Sequence, residues 1–408
     1  MSSAAGTETR ALVLCGGGIA GVAYEIGALR ALDDLLVGAT VNDFDILVGT
    51  SAGALVATLL ANGLSPEEMA RSFGGEKSPF TPPTRMDIYR PNLREVVERA
   101  TQVPGVLREL GRELGKHHNN ISELDIPGIL CTLMPSGLFD PRGISSYLAR
   151  LLESAGLSDS FARIEKELYI VACDLDADER VVFSRSNHPE VPVSQAVGAS
   201  SAIPVLFRPM EIAGIDYVDG GIKGISAIDV AVEQGAKLIV VINPVVPIDA
   251  SQAGALANHP GNYRQAERLS TLGMRAIYNQ VFRGVLYDGL LDHIRLTRDA
   301  HPDVDIVLIQ PRPDDAKMFF HELMSFSARL MVLEHGYESV SSGLYETWEY
   351  LRRTLPRHGI HITRRLIEQR PIDLPVETAE RPGRLRRLMR ETVFAHRPRL
   401  HVMDDEAI

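Results

Sequence analysis

Phe44-Asp45-Ile46-Leu47-Val48-Gly49-Thr50-Ser51-Ala52-Gly53-Ala54-Leu55 is the stretch from which the rest of this chain can be read. An apolar, strand-like run, Phe44 to Val48, meets a helix-like run, Ala52 to Asn62, with Gly49-Thr50-Ser51-Ala52-Gly53 between them. The G-x-S-x-G spacing has a mechanical reason. A serine at the apex of a sharp strand-to-helix turn is crowded by the residues two positions away on either side, so both must lack a side chain. Its hydroxyl then stands at a helix N-terminus, where the dipole and free backbone N–H groups favour negative charge. Ser51 is therefore a nucleophile candidate. The structural alternative is a glycine-flanked turn whose serine merely caps the helix.

Working toward the N-terminus, Ala11 to Leu14 reads as a short buried strand, followed by Gly16-Gly17-Gly18 and a helix with apolar residues at Val22, Ile26, Leu29, Leu32 and Leu36. Three glycines opening a helix present unshielded N–H groups that suit an oxyanion or a phosphate. Gly16-Gly17-Gly18-Ile19-Ala20-Gly21 also satisfies the dinucleotide pattern G-x-G-x-x-G. That reading needs an acidic residue at the end of the next strand, whereas Asp43 or Asp45 lies a few residues too far on and precedes rather than follows the strand Phe44 to Val48, so a Rossmann-type oxidoreductase ranks behind a hydrolase.

Toward the C-terminus, Ser65-Pro66-Glu67-Glu68 signals another helix start. The segment 74–137 breaks the pattern with several prolines and a charged helix, Asn92 to about His117, and reads as an insertion or lid. His117 and His118 read as its solvated end. A helix opens at Asp140-Pro141. Strands follow at Leu168 to Cys173 and Arg180 to Ser184, joined by an acidic turn; its Asp174, Asp176, Asp178 and Glu179 lack calcium-loop spacing. A hairpin, Met210 to Val218, leads into Asp219-Gly220-Gly221, where Asp219 is either a plain turn residue or the base that takes the Ser51 proton. Beyond it come a strand at Leu238 to Ile242, a long helical stretch from Gln265 to about Leu296, a buried strand at Asp305 to Gln310, and further helix from Met318 to Leu351.

Composition limits the function classes. The chain has 408 residues, 45% hydrophobic, with a net charge of -11, which argues against general nucleic-acid binding. Cys15, Cys131 and Cys173 are scattered without metal or disulfide spacing, so no metal site is expected and a reducing, cytoplasmic location is. The apolar run Ala11 to Cys15 is too short for a signal sequence or a membrane span. Near the C-terminus, arginines at 381, 384, 386, 387 and 390 flank Leu385, Leu388, Met389, Val393 and Phe394, a pattern that on a helix suits either peripheral contact with an anionic membrane through 381–394 or docking onto acidic parts of the protein.

Four motifs in order, Gly-Gly-Gly-x-x-Gly at 16–21, Gly-Thr-Ser-Ala-Gly at 49–53, Ala-Ser-Ser-Ala-Ile-Pro-x-x-Phe-x-Pro at 199–209 and Asp-Gly-Gly at 219–221, resemble the patatin-like phospholipases. The resemblance implies an α/β fold, a three-layer α/β/α sandwich, with a helical insertion and a helical C-terminal region. It covers about Ala11 to Asn243 apart from the insertion, and with the residue readings above the chain divides into a core at 11–245, an insertion at about 74–137, a helical extension at 246–375 and a basic tail at 376–408. It implies a cofactor-independent serine lipid acyl hydrolase working on phospholipids, lysophospholipids or related lipids. By motif, Ser51 would be nucleophile, Asp219 the base, and the N–H groups of Gly16, Gly17 and Gly18 the oxyanion hole, with Gly21, Gly49, Gly53, Gly220 and Gly221 as supports. One position departs: the family's glycine motif usually carries Arg or Lys where this chain has Ala20. A non-catalytic lipid-binding regulator is the alternative that departure motivates. A Ser-Asp-His triad using His293, His301, His321 or His335 ranks last, because none stands in a turn-rich setting like those of Ser51 and Asp219.

Overall fold

Strands that read as unbroken apolar runs must be covered on both faces. In the computed structural model, which describes residues 8–73, 83–116, 134–224, 226–251, 268–315, 318, 324 and 326–364, they are. The strands of the central sheet are β1 (Arg10–Leu14), β2 (Ile46–Thr50), β3 (Glu167–Asp174), β4 (Glu179–Phe183), β5 (Met210–Ile212), β6 (Ile215–Asp219), β7 (Leu238–Ile242) and β8 (Asp305–Ile309). Their order is β8-β7-β1-β2-β3-β6-β5, with β4 also paired to β3. Pairing is parallel from β8 to β3 and antiparallel around β3 to β6 and β5.

Alternation along β1 sends Ala11, Val13 and Cys15 to one face, where they join Val48, Val171, Val241 and Ile306 in a core capped by α7 (Ile228–Glu233) and α8 (Met274–Ala300). The other face is covered by α1 (Gly18–Leu35) and α2 (Ala52–Ala61), as the placement of Gly53 against Leu14 shows below. Outside α1 lies α9 (Arg329–Glu346), and the two helices cross closely. A Cβ on Gly27 would stand 2.3 Å from the Leu333 carbonyl oxygen, so only glycine fits there. The Tyr337 hydroxyl donates to Asp34 at 2.8 Å across the same contact. The result is the expected α/β/α sandwich with a helical C-terminal region.

Several boundaries differ from the sequence reading. The strand before Ser51 begins at Ile46, because Thr40 and Asp43 cap each other around a turn at Val41–Asp43. The long helix near the C-terminus starts at Met274, after a separate turn at Leu269–Leu272. In the insertion, α4 (Leu93–Lys116) matches the charged helix, while His117, His118 and 74–82 lie outside the described residues, as do Cys131, His321 and the arginine-rich 381–394. The sheet continues past 245, since β8 extends it beside β7. Asp174 Oδ1 accepts the N–H groups of Asp176 and Ala177, each at 3.0 Å, and so closes the β3–β4 hairpin. No group of three His, Cys, Asp or Glu side chains suited to a metal ion occurs among the described residues. None of the described helices is long and apolar enough to cross a membrane.

Candidate active site

Because β1 and β2 are parallel neighbours, with Leu14 opposite Gly49, their C-terminal ends emerge side by side. The glycine loop and Ser51 are therefore adjacent by topology, each at the start of a helix. Ser51 has φ 55° and ψ -117°, a conformation costly for a residue with a Cβ, and sits directly before α2. The flanking glycines explain how the turn closes. A Cβ on Gly49 would stand 2.5 Å from the Gly53 carbonyl oxygen, and one on Gly53 would stand 2.1 Å from that of Leu14. The sharp turn anticipated from G-x-S-x-G is present, and the Ser51 side chain makes no capping bond to α2.

Asp219 arrives from the other side of β3. Since β6 runs antiparallel to β3 and pairs only with its last three residues, its C-terminal end stops level with that of β2: Asp219 lies opposite Ala172, and Thr50 opposite Val171. Two strands of opposite direction thus deliver their last side chains to one edge of the sheet, separated by one strand. The turn of the β5–β6 hairpin is at Ala213 and Gly214, so Asp219 is not the turn residue that its Asp-Gly sequence also allowed. The backbone passes close here, because a Cβ on Gly220 would meet the Val171 carbonyl oxygen at 2.4 Å.

Asp219 is buried, which raises its carboxyl pKa from 3.8 to about 6; hydrogen bonds from the Ser51 side chain and the Gly221 N–H oppose that rise. The Gly221 N–H donates to Asp219 Oδ1 at 2.8 Å. The glycine loop completes the arrangement. Gly18 adopts φ 60°, and Gly17 is held by Pro244, whose Cγ would stand 2.6 Å from a Cβ there. The N–H groups of the first turn of α1 have no intrahelical acceptor and are free to face an anion. Gly21 lies in the next turn, close to Ala52 and Pro244.

Ser51 stands where two clefts meet. One, of about 810 Å³ with its open mouth included, is lined by Gly16, Gly17, Gly18, Ser51 and Asp219, and on its outer side by α8. The other, of about 610 Å³ on the same measure, is walled almost wholly by apolar groups, among them Val22, Leu55, Phe73, Ile88, Tyr147 and Phe207. Ile88 comes from the insertion, which therefore contributes to the site's wall. A buried serine, a buried carboxylate on the same cleft, a glycine-rich helix start and an apolar chamber are the kinds of group that nucleophilic chemistry on an apolar substrate uses.

A patatin-like phospholipase family model matches residues 12–232, more than half of the chain. The chain belongs to the patatin-like phospholipase family. A protein of Invertebrate iridescent virus 6 described as a probable lipid hydrolase is 23% identical over 231 residues, which are 55% of this chain and 63% of that protein. An uncharacterized protein of Acanthamoeba polyphaga mimivirus is 24% identical over 216 residues, 53% of this chain and 59% of its own length. This chain thus spans less than two thirds of either relative. Among solved structures, VipD from Legionella pneumophila aligns over 83% of this chain and 67% of its own at 16% identity, with a TM-score of 0.33.

What the sequence reading missed in this patatin-like site is the task of its third motif. Ser200 ends α6 (Val193–Ser200), and its Oγ accepts the Ser51 N–H at 2.8 Å while donating to the Val171 carbonyl at 2.6 Å. Two residues on, the Ala202 carbonyl accepts the Asp219 N–H at 3.0 Å. One loop therefore clamps the backbone of both Ser51 and Asp219. The signal was present as Ala199-Ser200-Ser201-Ala202, although nothing local gave the serine a partner. The histidines lie elsewhere. His293 Nδ1 meets the Ser226 carbonyl oxygen at 3.0 Å and His335 Nε2 meets Asp315 at 2.6 Å, so both are engaged away from the clefts; His301 follows the end of α8.

Proposed function

We propose that this protein is a serine lipid acyl hydrolase that cleaves carboxylic ester bonds of phospholipids, lysophospholipids or related lipids through a Ser51–Asp219 dyad. The observation that carries the reading is that the strained, buried Ser51 and the buried Asp219 line one cleft with the glycine loop, at its junction with an apolar chamber. Membership of the family and the lipid hydrolase description of the viral relative support it. In the first half-reaction the Ser51 hydroxyl gives its proton to the Asp219 carboxylate as Oγ bonds the ester carbonyl carbon. The charge that develops on the carbonyl oxygen falls toward the N–H groups at Gly16 to Gly18 and the positive end of α1. Collapse expels the alcohol, which takes the proton from Asp219 and leaves the acyl group on Ser51. Water then adds with Asp219 again as base, and as the acyl–Oγ bond breaks Asp219 returns that proton to Ser51 and the fatty acid departs.

Fluorescent fluorophosphonate labelling of purified protein tests the reading. Wild type should be labelled, Ser51→Ala should not, and Asp219→Asn should label at least about a hundredfold more slowly because the base is gone. Full labelling of Ser51→Ala would remove Ser51 from the mechanism. Absence of labelling in folded wild type would favour the lipid-binding regulator.

A further inference from the structure

Helix α8 turns one flank into the cleft and leaves the next in solvent. Tyr278, Phe282 and Leu286, four residues apart, line the cleft that contains Ser51 and Asp219. Beside them on the helix, Val281 is 59% exposed, Val285 69% and Met274 86%. On the same cleft, Val205 is 79% exposed and Ile222 50%. Val205 does so at φ 70°, a region that a β-branched side chain avoids, so a strained backbone holds this valine outward. Single exposed apolar side chains are ordinary, whereas an apolar rim around a cleft marks an interaction surface. The charge pattern narrows what it meets. From Met274 to Tyr287, about four helical turns, there is no Asp or Glu, in a chain whose net charge is -11. Of its two arginines, Arg283 is buried among the carbonyls of Val246 and Met318, and Arg275, in the first turn, is exposed.

We propose that this rim, formed by the first half of α8 with Val205 and Ile222, seats the protein on a lipid surface, with the cleft opening onto the hydrocarbon boundary. Both the choice of a lipid surface and the orientation rest on the lipid-ester reading of Ser51, whereas the flotation test below reads the surface without turnover. A carboxylate on this face would be dehydrated at the headgroup boundary and repelled by anionic lipid, which accounts for the missing acids. Continuity with the cleft selects a bilayer over a protein partner. A protein seated on Val205, Ile222 and α8 would cover the mouth through which a lipid reaches Ser51, whereas a bilayer supplies that lipid. The contact is apolar, so it needs no anionic headgroup.

The test is flotation of the full chain, carrying Ser51→Ala so that lipid is not consumed, with vesicles of phosphatidylcholine, alone and with phosphatidylglycerol. The parent should float with both, with little dependence on salt. Val281→Asp with Val285→Asp should lower partitioning by about tenfold or more, and Val281→Gln with Val285→Gln should lower it without adding charge or burdening the fold. Equal flotation of parent and both pairs overturns the proposal, as does a parent that floats with neither vesicle. Salt-sensitive binding that is lost on removing 381–408 and ignores the α8 pairs overturns it in favour of the tail. A dimer that the pairs dissociate while vesicle binding is unchanged assigns the face to a second copy. If fluorophosphonate labelling fails while the pairs still abolish flotation, the docking surface stands and the catalytic reading falls.

Discussion

Replacing Asp219 with asparagine should make this protein more stable and less active at the same time. The magnitude follows from burial. The folded state raises the carboxyl from 3.8 to about 6. At 1.36 kcal/mol per unit, carrying the ionised form in the fold costs up to about 3 kcal/mol at pH 8. The sign is that of a carboxyl whose pKa is raised on folding: its favourable contribution is fully present below 3.8 and is lost as pH rises through 6. Asparagine keeps the shape. Its Oδ1 retains the 2.8 Å bond from Gly221, and its neutral amide stays hydrogen-bonded to Ser51 without the burial penalty of a charge. Urea unfolding of both proteins across about pH 4 to 8 reads the difference directly, because other titrating groups cancel between them. The variant should be the more stable at pH 8, with the gap closing toward pH 4. Ester hydrolysis should fall about a hundredfold or more, and the wild-type rate should have an acidic limb near pH 6. A variant that is less stable at pH 8, or a gap that does not vary with pH, would refute the reasoning.

Two other substitutions examine how Ser51 is held. Ser200→Ala leaves the buried Ser51 N–H and one acceptor site of the Val171 carbonyl without their bonds, so it should cost about 2–4 kcal/mol in urea unfolding and slow fluorophosphonate labelling roughly ten- to a hundredfold, while wild-type labelling would show that the strained turn holds without it. Gly53→Ala forces a Cβ to within 2.1 Å of the Leu14 carbonyl oxygen, so the helix must move off β1, with a loss of at least about 3 kcal/mol; a thermal midpoint equal to wild type would contradict the close approach.

The parallel strands of the sheet were legible because they are buried along nearly their whole length and so read as apolar runs; Leu238–Ile242 has the same limits by either route. The turn at Ser51 was legible because its glycines answer to local sterics. The positions that escaped depend on partners remote in sequence. Ser200 lies 149 residues from the N–H it accepts, and no periodicity reports such a bond. The same holds for α8. Gln265 to Leu296 reads as helix from composition, yet that Tyr278, Phe282 and Leu286 line the cleft that holds Ser51 and Asp219 depends on how the helix lies over the sheet. The start of the strand before Ser51 was misplaced because Phe44 is apolar and buried, but the preceding capped turn takes its backbone out of the ladder.

Ala20 is the position at which this chain leaves the family pattern, and the structure gives that departure a physical setting. Ala20 is buried in the first turn of α1, while Ile19 and Val22 beside it line the apolar chamber. A cation at 20 would be desolvated there, and the Asp219 carboxylate already accepts the Gly221 N–H. In the proposed mechanism, stabilisation of the oxyanion then falls on backbone N–H groups and the helix dipole, where one donor is worth about 3 kcal/mol. Those donors act most strongly where water is excluded and the effective dielectric is low. The same exclusion lifts Asp219 to about 6, which brings the base closer to the serine hydroxyl it must deprotonate. One physical cause, the burial of Ser51 and Asp219, thus strengthens the donors of the proposed mechanism, raises the basicity of the carboxylate and lowers the stability of the ionised fold, which is why Asp219→Asn should move activity and stability in opposite directions.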